Sequence, residues 1–231
     1  MDSNSKVVLY IGGGVMAGVF GAGVVTAFQK ENFYRNIDAV YGSSGGALTA
    51  AYFLAGQSEL GSSIFYDDLI NEFIKPNYIL LGIYDRFRNK FICHLPVSQI
   101  RNPINIDYVF DIISTKKKLD VATIRDRDIS LFVHVLNTKS LQSEFIDVLK
   151  SDDPLQILKA GISAVPYYFP SDGQYIDGEI VNPFPITEIV NQRPGQHIVA
   201  VLNIIPDKLM KTYRDGQEAG QIFLKSFVSR P

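Results

Sequence analysis

The sequence predicts an α/β fold, a three-layer α/β/α sandwich with a largely parallel central sheet. Three observations carry this reading. Short, continuously apolar, β-branched runs such as residues 6–11 suit strands buried on both faces of a sheet. These runs alternate along the chain with longer stretches of small and apolar residues, as βα units do. Glycine-rich turns stand between strand and helix at residues 12–18 and again at 42–46.

The elements follow in order. Residues 6–11 form the first strand, and glycines follow at once. Residues 18–30 alternate small and apolar types and end in a polar stretch, which predicts a buried helix despite its glycines. Residues 37–41 give a second short strand, running into Gly42-Ser43-Ser44-Gly45-Gly46, and residues 47–57 a second buried helix rich in Ala, Leu and aromatics. From residue 62 to about 123, helices and loops are expected without one governing period. The apolar stretch 78–84 in that part is read as core packing, with an exposed lid as the alternative. Residues 129–136 have strand character, and 144–148 pair with them after a polar turn. Asp153-Pro154 opens a helix over 155–162, aspartate suiting the cap and proline the first helical position. Residues 197–205 read as a late buried strand and 215–229 as a closing helix.

The chain has 231 residues, 46% hydrophobic and 20% charged, and is read as one domain with its core at about 7–205. Its 22 basic and 24 acidic residues leave a formal net charge of -2, so no broad electrostatic field invites nucleic acid. The run Lys116-Lys117-Lys118 is read as a solvated turn or helix end, with anionic lipid headgroups as the alternative. Cys93 is the single cysteine, which excludes an internal disulfide and a thiolate metal site. The amino terminus lacks the layout of a signal peptide, and no apolar run approaches the roughly 20 residues that span a bilayer. A cytoplasmic or peripheral membrane location is therefore expected.

The pattern G-x-S-x-G at Gly42 to Gly46 is preceded by a strand and followed by a helix, the setting in which it acts as a nucleophile elbow. Ser44 then sits on a strained turn at a helix amino end, where a developing anion is favoured, and Ser43 occupies the intervening position. The alternative is a Gly/Ser-rich turn without chemistry. Gly12-Gly13-Gly14 followed by Gly18 can aim backbone N–H groups into an open loop. Such a loop serves a phosphate or an ester oxyanion. The spacing is not G-x-G-x-x-G and no P-loop lysine follows, so the serine elbow one helix later favours the oxyanion. A third element, Tyr175-Ile176-Asp177-Gly178, reads locally as turn chemistry, as does Asp172-Gly173 nearby.

Together these three elements resemble the patatin-like phospholipase family from about Val7 to about Ile205. The family places a glycine-rich oxyanion loop after the first strand, a G-x-S-x-G elbow one helix later, and a distant D-G-[GA] aspartate. Here these stand as Gly12 to Gly18, Gly42 to Gly46 and Asp177-Gly178. Asp153-Pro154 through Ala160, Ser163-Ala164 and residues 166–170 also look like the family's approach to that aspartate, and Asn182-Pro183 like its sequel. The resemblance implies a lipid acyl hydrolase with Ser44 as nucleophile and Asp177 as its base, and with Gly12, Gly13, Gly14 and Val15 around the oxyanion. Gly18, Gly42, Gly46 and Gly178 are the motif glycines. It implies a lipid substrate with peripheral membrane contact, and no metal or organic cofactor. The reading names no protein partner.

Three positions depart from the family pattern. Val15 stands where the loop's third glycine is usual, Ala17 where an arginine is usual, and Glu179 where a small residue follows Asp-Gly. They motivate a second reading, a weak or silent lipid-binding module, or one activated by a partner. A Ser-Asp-His triad with His197 is the nearest chemical rival, but Ser44 follows too few strands for that fold. His197 is read as a strand-end or core residue, and His94 and His134 as structural. A nucleotide-binding α/β protein remains the reading of the first glycine loop taken alone.

Overall fold

The computed structural model describes residues 6–75, 84, 102–168, 170, 173–203 and 208–228. The first strand, β1 (Val7–Ile11), is buried at all five positions, as expected of a strand covered on both faces. After the glycine loop comes α1 (Gly18–Lys30), then β2 (Ile37–Ser43) and α2 (Gly45–Leu54). The helix α2 starts earlier than its apolar composition suggests, because Gly45 and Gly46 form its first turn. It stops at Leu54, shortly before Gly56, whose φ is 72°.

Short helices α3 (Ser58–Ser63), α4 (Leu69–Glu72), α5 (Ile106–Ser114) and α6 (Val121–Arg125) make up the described part of the middle. Residues 78–83, read as core or lid, lie outside the described residues. Strands β3 (Ser130–Asn137) and β4 (Gln142–Asp147) form the expected antiparallel hairpin. Helix α7 (Pro154–Gly161) is capped as anticipated, with the Asp153 side chain accepting from Gln156 N–H. The chain continues through β5 (Tyr175–Asp177), α8 (Ile186–Gln192), β6 (Ile198–Val201) and α9 (Leu209–Val228).

The sheet runs β4-β3-β2-β1-β6, with β5 also paired to β3. Strands β1, β2, β3 and β6 are mutually parallel, while β4 and β5 are antiparallel to β3. The reading of residues 197–205 as a buried strand needs correction. The strand covers Ile198–Val201, pairs on one edge only among the described residues, and has Ala200 exposed and Val201 alone buried.

One face of the sheet carries the large core, built from Leu9, Ile11, Val40, Leu131 and Val133 against α1, α2, α5 and α7. The other carries a smaller cluster of Val8, Tyr10, Ala39 and Tyr41 under Ile189 of α8. Helix α9 packs along α1 without a gap: a Cβ on Gly23 would lie 2.1 Å from Tyr213 O, and one on Gly216 would lie 2.1 Å from Phe20 O.

The lysine run forms the expected turn at the end of α5, with Lys116 and Lys118 exposed, but its middle member is not solvated. Lys117 is buried, with Nζ 2.6 Å from Asp68 and 3.1 Å from Asp67, and Lys116 also pairs with Asp68. A buried carboxylate at residue 68 needs a cation beside it, and the run supplies two.

Candidate active site

Ser44 joins β2 to α2 with φ 48° and ψ -132°, a backbone that residues with a Cβ seldom adopt. Close packing on both sides imposes it. A Cβ on Gly46 would lie 2.3 Å from the Ile11 carbonyl oxygen, and one on Gly42 would lie 2.5 Å from Ala47 Cα. Only glycine at these two places lets the helix start directly against the end of β1. Ser44 is thereby held at the amino end of α2, where unpaired N–H groups favour negative charge. Ser43 faces the opposite side of the sheet. It is buried, its Oγ accepts from the Tyr10 hydroxyl at 3.2 Å, and it lies 3.3 Å from His134 Nδ1.

Asp177 comes to Ser44 through the sheet. Strand β5 docks on the same edge of β3 as β2 does, continuing where β2 ends: Ser43 pairs with His134, and Asp177 with the next residue, Val135. The Asp177 N–H donates to Ser163 O at 3.2 Å, and Gly178 lies on the His134 ring with no room for a Cβ. Asp177 is 2% exposed. Burial pushes its carboxyl up to about 7, against the downward pull of the Ser44 hydroxyl and the Glu179 N–H, and the Glu179 charge adds to the rise. His134 is moved the other way, down to about 4 by burial, and so stays neutral.

The glycine loop lies over Ser44. A Cβ on Gly13 would meet Ser44 Cβ at 2.5 Å. The Gly12 N–H donates to Val201 O at 3.0 Å, prolonging the β1–β6 ladder. Gly12, expected among the oxyanion donors, is therefore not free to donate. The Gly13 N–H donates to Glu179 Oε1 at 2.8 Å. Gly14 and Val15 N–H have no acceptor among the described residues. Gly14 has φ 133° and Val15 φ 52°, so the β-branched side chain is forced into the left-handed region that it resists.

Sequence reasoning missed the residue that holds this loop. Asn203 Nδ2 donates to Gly12 O at 2.6 Å and to Gly13 O at 2.7 Å, while its Oδ1 accepts from Gly21 N–H at 2.8 Å. These three bonds tie the loop's two carbonyls and the start of α1 to one side chain. The available signal was a lone polar side chain in the apolar run 198–205.

A largely apolar cavity opens at Ser44. Val15, Leu48, Phe65, Phe73, Ile106 and Ile162 are among its walls, and Ser58 and Ser62 contribute hydroxyls. It lies between α1, α2, α3 and α5, so its lining is the same set of side chains that would otherwise close the core.

The family model for patatin-like phospholipases matches residues 9–190, a span that takes in the loop, the elbow and the aspartate. This chain belongs to that family. Among solved structures, VipD from Legionella pneumophila matches with a TM-score of 0.56 at 12% identity, covering 96% of this chain and 67% of that one. ExoU from Pseudomonas aeruginosa, solved in complex with SpcU, matches with a TM-score of 0.47 at 16% identity, covering 97% of this chain and 53% of that one. No match is found among curated proteins.

In this patatin-like chain, membership supports lipid acyl hydrolysis at the level of the family. The triad rival fails on position. His197 immediately precedes β6 and is level with Val8, whose N–H donates to its carbonyl, whereas Ser44 lies past the other end of the sheet. His94 and Asp172 fall outside the described residues. Among the described residues, no three His, Cys, Asp or Glu side chains gather as a metal site, and no helix is long and apolar enough to cross a membrane.

Proposed function

We propose that the chain is a serine acyl hydrolase of lipid esters, working through Ser44 and Asp177 and an acyl-enzyme intermediate. The observation that carries this reading is the strained Ser44 beside a buried Asp177 whose pKa stands near 7, at the mouth of an apolar cavity.

An ordinary carboxylate is too weak a base for a serine hydroxyl, and burial brings Asp177 much nearer to the task. As Ser44 Oγ attacks the ester carbonyl, its proton passes to Asp177 and the negative charge moves to the carbonyl oxygen. The N–H groups of Gly13, Gly14 and Val15 are the donors for that oxygen. Collapse expels the alcohol, which takes the proton from Asp177. A water then repeats the sequence on the acyl-enzyme and releases the fatty acid. The cavity accepts the acyl chain, whose burial there supplies roughly 0.8 kcal/mol per methylene. The headgroup stays outside, which fits a substrate presented at a lipid surface.

The test compares wild type with Ser44→Ala and Asp177→Asn on a short-chain p-nitrophenyl ester and a fluorogenic phospholipid. Turnover by wild type and its loss in both folded variants supports the reading; full activity in Ser44→Ala sinks it. A second reading, a silent lipid-binding module, is favoured by one contact, the Glu179 carboxylate on Gly13. Lipid binding with no turnover in any form would support it.

A further inference from the structure

The Glu179 carboxylate takes one of the three N–H groups that the mechanism proposed above assigns to the oxyanion. Its Oε1 accepts from Gly13 N–H at 2.8 Å. Its Oε2 lies 2.5 Å, and its Cδ 2.8 Å, from the point where a Gly13 Cβ would stand, and Ser44 Cβ lies 2.5 Å from that same point. Glutamate and nucleophile thus crowd one glycine. A carboxylate oxygen and a tetrahedral oxyanion have the same chemistry, a negatively charged oxygen accepting from a backbone donor. They cannot share this donor without crowding two anions together.

The backbone sets the glutamate there. Glu179 lies in the turn Gly178–Ile180, its own N–H donating to Asp177 Oδ1 at 3.0 Å. Each carboxyl is raised by burial, and Asp177 is raised further by the Glu179 charge. No Lys or Arg among the described residues forms a salt bridge with Glu179. A half-buried carboxylate without a cationic partner is costly, and the Gly13 N–H is what offsets that cost.

We propose that Glu179 is a built-in brake, an intramolecular ligand of the oxyanion site that must swing out before an ester carbonyl can be polarised there. The proposal rests on the serine-hydrolase reading above. Release needs only side-chain rotation, so the backbone of the turn and Asp177 stay in place. The brake slows the acylation of Ser44 by the fraction of time the donor is occupied, and any substrate or partner that gives the carboxylate a better place speeds it.

Reaction with a fluorophosphonate probe tests this. Ser44 Oγ forms a bond to phosphorus, fluoride leaves, the serine proton passes to Asp177, and the phosphoryl oxygen needs the same donor. The full chain is compared with Glu179→Gly, Glu179→Gln and Ser44→Ala. The brake predicts labelling faster by about tenfold or more in Glu179→Gly, the weight of one charge-assisted hydrogen bond, with Glu179→Gln between the two. The Gly13 amide proton, followed by nuclear magnetic resonance, should shift upfield in Glu179→Gly as it loses a charged acceptor. Equal labelling in wild type and both Glu179 variants, with Ser44→Ala unlabelled, overturns the brake and leaves the serine chemistry standing. Slower labelling in a folded Glu179→Gly also overturns it. No labelling in any form overturns the serine chemistry, and the brake with it.

Discussion

Ser43 and Asp177 take consecutive places along one edge of β3, Ser43 opposite His134 and Asp177 opposite Val135. Strand β5, only three residues long, thus delivers its last side chain to the end of β2. Side chains alternate along a strand, so a shift of one residue would carry Asp177 to the other face. Inserting one glycine between Ile176 and Asp177 should cut turnover by more than about a hundredfold, the scale at which misplaced catalytic groups lose rate. Far-UV circular dichroism should be unchanged, because β5 is a minor part of the sheet.

The buried Asp177 makes activity and stability respond to pH in opposite ways. In the proposed mechanism Asp177 is the base and must be ionised, so kcat/KM should rise through an apparent pKa near 7. The folded state keeps this proton when the unfolded chain has already released it near 3.8. Stability from this group is therefore full below about 3.8 and falls as pH rises toward 7. Asp177→Asn should abolish turnover yet melt at a higher temperature than wild type at pH 8, with the difference shrinking toward pH 4. Thermal melts across that window check the sign.

Backbone strain at the elbow separates two variants that remove the same hydroxyl. With φ 48° and ψ -132° at position 44, glycine relieves the strain and alanine does not. Ser44→Gly should exceed Ser44→Ala in stability by about 1–3 kcal/mol in urea unfolding, both being inactive. Val15, at φ 52°, should behave alike: Val15→Gly stabilises by about 1 kcal/mol, and its activity shows how far the valine hampers the loop.

Asp68 and Lys117 form a buried pair whose partners cannot be removed singly. Although burial pushes Asp68 up, the ammonium groups of Lys116 and Lys117 hold its carboxyl below the usual range. That stability is present above the unfolded value and lost as pH falls through the lower folded one. Asp68→Asn should cost about 3 kcal/mol, the low end for breaking a buried pair, because Asp67 still holds Lys117 at 3.1 Å, and Asp68→Asn with Lys117→Met should recover part of it. A double-mutant cycle in denaturant measures the coupling.

Asn203 positions the glycine loop and touches no reacting atom. Asn203→Ala should lower kcat by about tenfold to a hundredfold through a looser Gly13, less than the roughly hundredfold to thousandfold lost when an oxyanion donor itself is removed, with KM little altered. Lower amide-exchange protection in residues 12–14 would mark the loosened loop. An unchanged kcat would remove Asn203 from the site's support.

Much of this protein is legible in its sequence because the signals are local. Strand β1, helix α1, the β3–β4 hairpin and the Asp153-Pro154 cap follow from runs, periods and caps of a few residues, and the elbow glycines announce the turn they permit. The order of glycine loop, elbow and aspartate along the chain resembles the family's without any tertiary contact. What only the tertiary structure decided lies between residues far apart in the chain. Gly13 and Glu179 are 166 positions apart and Asn203 and Gly12 are 191, and nothing in local propensity links them. The edge position of β6, the removal of Gly12 from the donor set and the burial of Lys117 likewise arise when strands choose neighbours. The pKa of Asp177 belongs to the same class, since desolvation is set by everything packed around the group and not by the residues beside it in sequence.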